Sequence, residues 1–328
     1  MFLHESYTFT TNYMLDRVET GLVTKSTGSR YTVKKSDDGT KVVCTLRGKL
    51  RLKGAKSTNP VTVGDVVDFE WGDLKNQGII VNIHPRKNYI IRRSTKLSKQ
   101  YHIIAANLDQ AIVMMSMSHP ATPLEFVDRF LATCEAYEVS PVIVINKIDL
   151  IPAKDKSKLN ETIGMYQEIG YQVLPLSMIT KENFSTLAVL LKEKSTLIAG
   201  NSGVGKSTLI NALNPELNIK TAEISSYHET GKHTTTYAEM FFIDEHTNVI
   251  DTPGIKGFGV IDMEKEEIYH FFPEIFKTSA ECRFHNCLHV NEPGCAVKEA
   301  LNEGNIHLSR YRSYINILTE NENKYRIT

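Results

Sequence analysis

Residues 200–207 follow the pattern G-x-x-x-x-G-K-S of a phosphate-binding loop. An apolar, strand-like stretch precedes them, and helix-forming sequence follows. Glycines let backbone N–H groups wrap a phosphate at a helix N-terminus. The lysine would reach the β- and γ-phosphates as a catalytic cation, and the serine would bind Mg²⁺. A ligand-free glycine-rich turn is the alternative. The predicted contacts are Gly200, Asn201, Ser202, Gly203, Val204, Gly205, Lys206, Ser207 and Thr208.

A second motif, Asp251-Thr252-Pro253-Gly254, follows the strand-like residues 248–250. An aspartate at the end of a strand can hold the Mg²⁺ shell, and the N–H group of Gly254 can meet the γ-phosphate. Alone, these four residues would indicate an ordinary turn. Together with the phosphate-binding loop they predict a γ-phosphate sensor.

A third motif, Asn146-Lys147-Ile148-Asp149, ends an apolar strand and would select the base. An aspartate carboxylate accepts two parallel hydrogen bonds from guanine, which adenine cannot offer, and such a site rejects the analogue by a large factor. Ser177, after Leu174-Pro175-Leu176, is predicted to contact the guanine through its backbone. The expected ligands are therefore GTP or GDP with Mg²⁺.

A metal-binding pattern lies near the C-terminus, where three cysteines fall within 14 residues. Three thiolates and one imidazole form a tetrahedral ligand set for Zn²⁺, and four protein ligands leave no open position for catalysis. We predict one structural zinc ion that stabilises a segment too short for a core of its own. His285 competes by spacing for the fourth position, and reduced cysteines that merely pack together are an alternative. The predicted ligands are Cys282, Cys287, His289 and Cys295.

The elements that must position these residues divide the chain into three parts. Residues 1–98 contain short alternating runs separated by Gly, Asn and Asp turns, which predict a small closed barrel of the OB or SH3-like kind. Its candidate strands are 21–23, 31–33, 41–53, 65–70 and 78–83.

Residues 99–260 alternate apolar strands with amphipathic helices and predict an α/β domain. Its candidate strands include 111–115, 142–145, 197–199 and 249–250. In the first helix, Thr122 is predicted to be the N-cap, with Glu125 closing a capping box. Residues 261–328 predict helices around the cysteine cluster.

Positive charge concentrates at the start of a chain that carries 38 basic and 38 acidic residues. Residues 1–100 hold 18 basic and 9 acidic side chains, and the remainder holds 20 and 29. Four cations alternate with apolar residues, as on one face of a strand, and a second basic run includes Tyr89 for stacking. This pattern predicts RNA binding, although a charged edge strand is the alternative. The predicted RNA-binding residues are Arg47, Lys49, Arg51, Lys53, Arg86, Lys87, Arg92 and Arg93.

The order of the nucleotide motifs is unusual, because the base-selecting motif and Ser177 precede the phosphate-binding loop. Ras-like GTPases have the reverse order. The chain therefore resembles the circularly permuted ribosome-assembly GTPases of the small-ribosomal-subunit-dependent GTPase A family (RsgA/YjeQ) over nearly its whole length. The resemblance implies an N-terminal OB-like β-barrel in residues 1–98, a circularly permuted α/β P-loop GTPase domain in 99–260 and an α-helical zinc-binding domain in 261–328. The family's zinc pattern matches His289 and not His285.

The resemblance also implies where catalysis takes place. Residues 231–236, Gly-Lys-His-Thr-Thr-Thr, are similar to the family's G-[RK]-H-T-T-T. In that motif Thr235, with Thr234 as its neighbour, would serve Mg²⁺ and the γ-phosphate, and His233 would position the attacking water. An exposed loop histidine without a role is the alternative for His233. Because Ile255 stands where Ras-like proteins have glutamine, hydrolysis is expected to be slow until the small ribosomal subunit stimulates it.

The implied protein is a cytoplasmic, monomeric GTPase that binds the small ribosomal subunit and its rRNA during late assembly. The apolar runs are too short to span a bilayer, and the N-terminus lacks the pattern of a signal peptide. Five cysteines in 328 residues do not indicate a disulfide scaffold. Two alternatives stay open: an RNA-anchored interaction protein in which GTP only sets conformation, and a GTPase that acts on another RNA.

Overall fold

The computed structural model describes residues 18–48, 59–72, 77–93, 101–219, 238–252 and 263–325. Within these ranges the strands are β1 (Glu19–Ser26), β2 (Tyr31–Lys35), β3 (Lys41–Leu46), β4 (Val66–Trp71), β5 (Gln77–Ile83), β6 (Tyr89–Arg93), β7 (Tyr101–Ala106), β8 (Gln110–Met115), β9 (Pro141–Asn146), β10 (Gln172–Leu176), β11 (Ser195–Gly200), β12 (Glu239–Phe242) and β13 (Asn248–Asp251). The α-helices are α1 (Leu124–Ala136), α2 (Lys156–Ile169), α3 (Phe184–Leu191), α4 (Lys206–Leu213), α5 (Pro273–Ser279), α6 (Ala296–Glu303) and α7 (Leu308–Tyr325). Short 3₁₀ helices cover Ile148–Leu150, Ala153–Asp155, Pro215–Leu217 and Lys265–Phe271.

Strands β1 to β5 form a closed barrel in the order β1-β2-β3-β5-β4, with β4 pairing back onto β1. Strands β3 and β5 are parallel, and the other neighbours are antiparallel. Alternating residues of the strands point inward, so Val33, Cys44 and Phe69 are fully buried in the barrel core. The predicted OB-like barrel is confirmed.

The predicted strand 41–53 is wrong in its length, because β3 ends at Leu46. Pairing of β3 with β5 ends at Leu46 opposite Ile80, followed by one further hydrogen bond from the Arg47 N–H to the Ile80 carbonyl. Strand β5 continues to Ile83 in its pairing with β4, so the pairing with β3 ends before β5 does. Lys49, Arg51 and Lys53 lie outside the described residues.

The central sheet has the order β10-β9-β8-β11-β13-β12, and only β12 runs antiparallel to its neighbour. Parallel strands buried on both faces have continuous apolar sequences, and successive residues of β8 show why. Val113 packs on the side of α1 and α2, whereas Ile112 and Met114 pack on the side of α3 and α4. The predicted α/β domain is confirmed.

The predicted capping box of the first helix is wrong. Helix α1 begins at Leu124, with Pro123 in the cap position and no capping hydrogen bond from a side chain. The Thr122 hydroxyl instead accepts a hydrogen bond from the Ser116 N–H at 3.2 Å. The Glu125 carboxylate accepts hydrogen bonds from Arg129, one turn along the helix.

The barrel is joined to the rest of the chain through β1 and through contacts near the predicted boundary. Lys25 of β1 pairs with Glu239 of β12, both in backbone register and through an ion pair of 2.9 Å. The antiparallel hairpin β6–β7 joins residues on both sides of the predicted boundary after residue 98. The boundaries after 98 and 260 stay predictions.

The C-terminal helices pack on α1 through a core that includes Phe272, Ile275 and Tyr314. A buried ion pair fixes this docking: Arg310 Nη1 of α7 lies 2.9 Å from Asp128 Oδ1 of α1. The described helices include none with both the length and the apolar sequence needed to cross a bilayer.

Candidate nucleotide site and metal centre

The predicted nucleotide motifs meet at one edge of the central sheet. Asn146 ends β9, Ser177 follows β10, Gly200 ends β11 and Asp251 ends β13. These four strands are parallel, so their carboxyl ends lie on the same side of the sheet. Ligands bind in the crevice beyond such ends in open α/β sheets.

Glycine is required at two positions of the phosphate-binding loop. Gly200 and Gly205 have φ angles of 153° and 108°, in the region that favours glycine. A Cβ on Gly200 would lie 2.5 Å from the Met114 carbonyl oxygen, and a Cβ on Gly205 would lie 2.5 Å from Asn146 Nδ2. The loop therefore passes close to the ends of two neighbouring strands, and Val204 is buried between them and α4.

Lys206, the first residue of α4, lies inside this loop. Its Nζ donates hydrogen bonds to the carbonyl oxygens of Gly200 at 2.8 Å and Asn201 at 3.2 Å. Burial lowers the pKa of the Lys206 ammonium, and the nearby Asp251 carboxylate opposes that shift. A buried ammonium is a strong attractor for a phosphate, because an anion would compensate its lost hydration. Ser207 is half-buried behind it, and Ser202, Gly203 and Thr208 are exposed.

Asn146 and Lys147 brace the phosphate-binding loop from the neighbouring strand. Asn146 Nδ2 donates to the Val204 carbonyl at 2.9 Å, and Lys147 Nζ donates to the Gly203 carbonyl at 2.9 Å. Lys147 also donates to the His119 carbonyl at 2.8 Å. The base-selecting motif and the phosphate-binding loop, predicted as separate elements, thus form one hydrogen-bonded unit.

Asp149 is held by a contact that sequence reasoning missed. The Ser177 hydroxyl donates to Asp149 Oδ1 at 2.6 Å and accepts from the Thr180 N–H at 3.1 Å. Sequence reasoning assigned Ser177 a backbone contact only. The serine directly after β10 was the available signal, but its partner lies 28 residues away. Asp149 itself is exposed, as a carboxylate that meets a guanine edge must be, and Ile148 packs against the core beside it.

Asp251 has the properties expected of a carboxylate that binds a cation or one of its water ligands. Its Oδ1 is buried and has no hydrogen-bond partner among the residues that the structure describes. Burial raises the pKa of the Asp251 carboxyl, and the Lys206 ammonium opposes that shift. The neighbouring Thr252 hydroxyl donates to the Ile198 carbonyl of β11 at 2.9 Å, which ties the end of β13 to the phosphate-binding loop's own strand. Mg²⁺ would satisfy the unpartnered oxygen directly or through a water ligand. His233, Thr234, Thr235, Gly254 and Ile255 lie outside the described residues.

The structure brings the four predicted zinc ligands together. The donor atoms of Cys282, Cys287, His289 and Cys295 all lie within 4.8 Å of one another. His289 Nδ1 is 3.6 Å from the Cys282 sulfur and 3.5 Å from the Cys295 sulfur, so this ring nitrogen is the one that faces the thiols. His285 is exposed on the intervening loop and is not part of this group.

The chemistry of this cluster fits a zinc ion. Burial raises the pKa of the Cys287 thiol to about 12, so thiolates there need a compensating cation. The segment is shaped by the αL conformation of His289, with φ of 60°, and by hydrogen bonds from Tyr311 to its carbonyl at 2.6 Å and from Tyr314 to the Leu288 carbonyl at 2.7 Å. Its surroundings thus hold the four donors in place.

The described RNA-binding candidates are mostly paired within the chain. Arg86 forms a fork with the buried Asp65, with Nε and Nη2 at 2.6 and 2.7 Å from the carboxylate oxygens, so its guanidinium has an internal partner and its RNA contact stays a prediction. Lys87 pairs with Asp109 at 2.6 Å but keeps 56% of its side chain exposed. Arg47 bonds to Glu70, and Arg92 is half-buried. The Arg93 side chain lies outside the described part of the structure.

This fold and site define a circularly permuted P-loop GTPase, because the base-selecting strand precedes the phosphate-binding strand in the chain yet lies beside the same cleft. The family model for the RsgA GTPase matches residues 83–261, and the model for the RsgA N-terminal domain matches residues 20–80. The chain belongs to the RsgA GTPase family.

Relatives and solved structures cover nearly all of the chain. It is 52% identical over 307 residues to the small ribosomal subunit biogenesis GTPase RsgA of Bacteroides fragilis, covering 93% of this chain and 98% of that protein. The protein of that name from Christiangramia forsetii is 47% identical, covering 94% and 98%. The crystal structure of YjeQ from Thermotoga maritima is 34% identical with a TM-score of 0.72, covering 93% and 98%. YloQ, described as a circularly permuted GTPase, is 28% identical with a TM-score of 0.69, covering 95% and 98%.

Proposed function

We propose that this GTPase acts in biogenesis of the small ribosomal subunit, binding the subunit and hydrolysing GTP to GDP and phosphate. The observation that carries the proposal is the match over 93% of the chain to a relative named for that role. The proposal is also supported by the ends of β9, β10, β11 and β13, which bring the described parts of the nucleotide motifs to one edge of the sheet.

Different residues of the site are proposed to bind different parts of the nucleotide. Asp149, held by Ser177, accepts the two guanine hydrogen bonds, and the wrapped backbone of the phosphate-binding loop and Lys206 bind the β- and γ-phosphates. Ser207 and Thr235 hold Mg²⁺, and Asp251 supports its ligand shell. The metal neutralises phosphate charge when it is bound.

His233 is the proposed water-positioning residue, with Thr234 and Thr235 beside it and Gly254 at the γ-phosphate. Ile255 cannot form the hydrogen bond that a glutamine would make there. We expect His233→Ala to lower the subunit-stimulated rate while GTP affinity stays near wild type. His246→Ala changes an exposed histidine at the turn between β12 and β13 and serves as the matched control. An unchanged stimulated rate in His233→Ala would remove this residue from the mechanism.

One Zn²⁺ is proposed at the Cys282, Cys287, His289 and Cys295 cluster, in a structural role. Metal analysis of the purified full-length protein should give one zinc per chain. Removal by a strong chelator should lower helical ellipticity and expose the C-terminal segment to protease. Zinc loss that leaves both readouts unchanged would contradict the structural role.

The barrel and the zinc domain are proposed to contact rRNA, with the protein acting as a cytoplasmic monomer. Co-sedimentation with purified small subunits tests this, comparing a GTP analogue with GDP and adding tRNA as a competitor. The triple variant K49E/R51E/K53E should lose affinity and give a shallower salt dependence. K154E/K156E/K158E makes the same charge change on an exposed stretch at the start of α2 and should bind as wild type. Equal losses in both variants would indicate a general charge effect and not a barrel contact.

A further inference from the structure

The loop between the first two cysteines of the metal centre, residues 283–286, carries side chains that the domain core does not use. Arg283, Phe284, His285 and Asn286 are all exposed, and Phe284 keeps 41% of its surface accessible. Within the described part of the chain, the side chains of Arg283, His285 and Asn286 form neither hydrogen bonds nor ion pairs. An aromatic ring, a cation without a described ion-pair partner and two hydrogen-bonding groups therefore lie together on one loop.

This loop is held in place by its backbone. The Arg283 N–H donates to the Gly294 carbonyl at 3.1 Å, and the Cys287 N–H donates to the Phe284 carbonyl at 3.3 Å. Gly294 has a φ of 67°, and a Cβ there would lie 3.2 Å from Arg283 Cβ, so the two metal-binding loops approach this closely because residue 294 is glycine. A loop fixed in this way loses little conformational entropy when it binds a partner.

Three of the four candidate ligands, Cys287, His289 and Cys295, are buried, whereas part of the loop between the last two is exposed. Tyr311 and Tyr314 of α7 bond to the carbonyl groups of His289 and Leu288, and the two cysteines Cys287 and Cys295 belong to the C-terminal core. Of the exposed parts of the cluster, the 283–286 loop is the one that presents an aromatic ring and an arginine to a partner.

The chemistry of the loop suits an unpaired nucleotide. The guanidinium carbon of Arg283 lies 5.5 Å from the centre of the Phe284 ring, so an aromatic face and a positive charge are adjacent. Aromatic rings stack on exposed bases, and arginine binds phosphate. An apolar pocket on a protein would cover Phe284 but would leave the guanidinium without an anion. RNA satisfies both groups.

We propose that Phe284 stacks on an unpaired base of RNA while Arg283 binds the adjacent phosphate. The RNA is the rRNA of the small subunit, so the proposal rests on the proposed function. His285 and Asn286 stand beside the base and supply hydrogen bonds to its edge.

The first test measures the affinity of full-length, zinc-loaded protein for purified small ribosomal subunits in the presence of a GTP analogue. Phe284→Leu keeps an apolar side chain but removes the ring, and Phe284→Tyr keeps the ring. Phe276→Leu is the matched control, since Phe276 is 50% exposed in the same domain but packs 4.9 Å from the His270 ring. We expect Phe284→Leu to weaken binding roughly 5- to 150-fold, with the other two variants close to wild type.

The second test uses a single-stranded RNA that contains 2-aminopurine, whose fluorescence falls when the base stacks. Wild type should quench the probe, Phe284→Leu should not, and Arg283→Gln should bind with a shallower salt dependence. Wild-type affinity and quenching in Phe284→Leu would overturn the proposal. Weaker subunit binding with unchanged quenching would overturn it as well, because Phe284 would then contact a ribosomal protein. Failure of the wild-type protein to bind subunits would refute the proposed function, while the RNA probe would still test the loop.

Discussion

Arg310 joins the C-terminal helices to the GTPase domain, and replacing it tests how firmly the two are docked. Its Nη1 lies 2.9 Å from Asp128 Oδ1 and its Nε 2.7 Å from Glu274 Oε1, and the side chains of Arg310 and Asp128 are fully buried. Arg310→Met has an apolar chain of similar length but leaves both the buried Asp128 and the nearly buried Glu274 without a cation. Removing one partner of a buried ion pair costs about 3–5 kcal/mol.

The cost should fall near the lower end of that range, because the Ser313 and Tyr166 hydroxyls still donate to Asp128. A loss of about 3 kcal/mol in the free energy of unfolding lowers the melting temperature by roughly 6–12 °C for a cooperative unit of about 150–250 residues. Thermal unfolding followed by circular dichroism measures the shift. Hydrogen exchange should localise the loosening to α7 and to the face of α1 that it covers.

The matched control is Arg129→Met, on the same helix as Asp128. Arg129 pairs with Glu125 and Glu320, whose side chains are 43% and 53% exposed, so its loss should cost about 0–1 kcal/mol. The double variant Arg310→Met with Asp128→Leu should recover part of the stability, because Asp128 is then removed, whereas Glu274, with a side chain 11% exposed, still lacks its cation. A melting temperature in Arg310→Met equal to that of Arg129→Met would refute the reasoning.

Three further predictions follow from the described geometry. Gly205→Ala should abolish GTP binding, because the added Cβ would lie 2.5 Å from Asn146 Nδ2 in a backbone conformation with φ of 108°. Equilibrium binding of a fluorescent GTP analogue measures the affinity, and retained affinity would contradict the prediction. Ser177→Ala should weaken GTP binding about tenfold, because Asp149 loses a hydrogen bond. ATP affinity is the control, and an unchanged ratio of GTP to ATP affinity would argue against a role of Ser177 in positioning Asp149. His102 is expected to destabilise the folded chain at low pH. Burial, with a smaller effect of a neighbouring arginine, lowers the pKa of its imidazole to about 4. Between that pH and about 6.5 the unfolded chain therefore binds a proton that the folded chain excludes. Its stabilising effect is therefore complete above about pH 6.5 and is lost as the pH falls toward 4. Urea unfolding at pH 7 and pH 5 should show a smaller loss for His102→Gln than for wild type, and equal losses would contradict the assignment.

The nucleotide motifs could be predicted from sequence because each is contiguous and follows an apolar run. A strand buried on both faces cannot be polar, so a polar residue directly after it marks the carboxyl edge of the sheet. Asn146, Gly200 and Asp251 were placed correctly by that argument. The cysteine spacing predicted that the four donors would come together, and their types restrict the ion that they could bind.

The contacts between distant residues could not be predicted in this way. Asp128 and Arg310 are 182 residues apart and Arg86 and Asp65 are 21 apart, and no local pattern tells which arginine will find a buried carboxylate. Arg86 was accordingly assigned to RNA on charge alone. The end of β3 was missed for a related reason: alternation continues past Leu46 in the sequence, but the pairing of β3 with β5 ends there, opposite Ile80.

The central claim is that GTP hydrolysis by this chain is coupled to the small ribosomal subunit. Phosphate release from GTP by the full-length protein, measured against increasing concentrations of purified small subunits, tests it most directly, with large subunits as the control. We predict slow phosphate release by the protein alone and a rate that rises and saturates with small subunits only. Lys206→Ala should release no phosphate. A rate that is unaffected by small subunits, or that rises equally with large subunits, would contradict it.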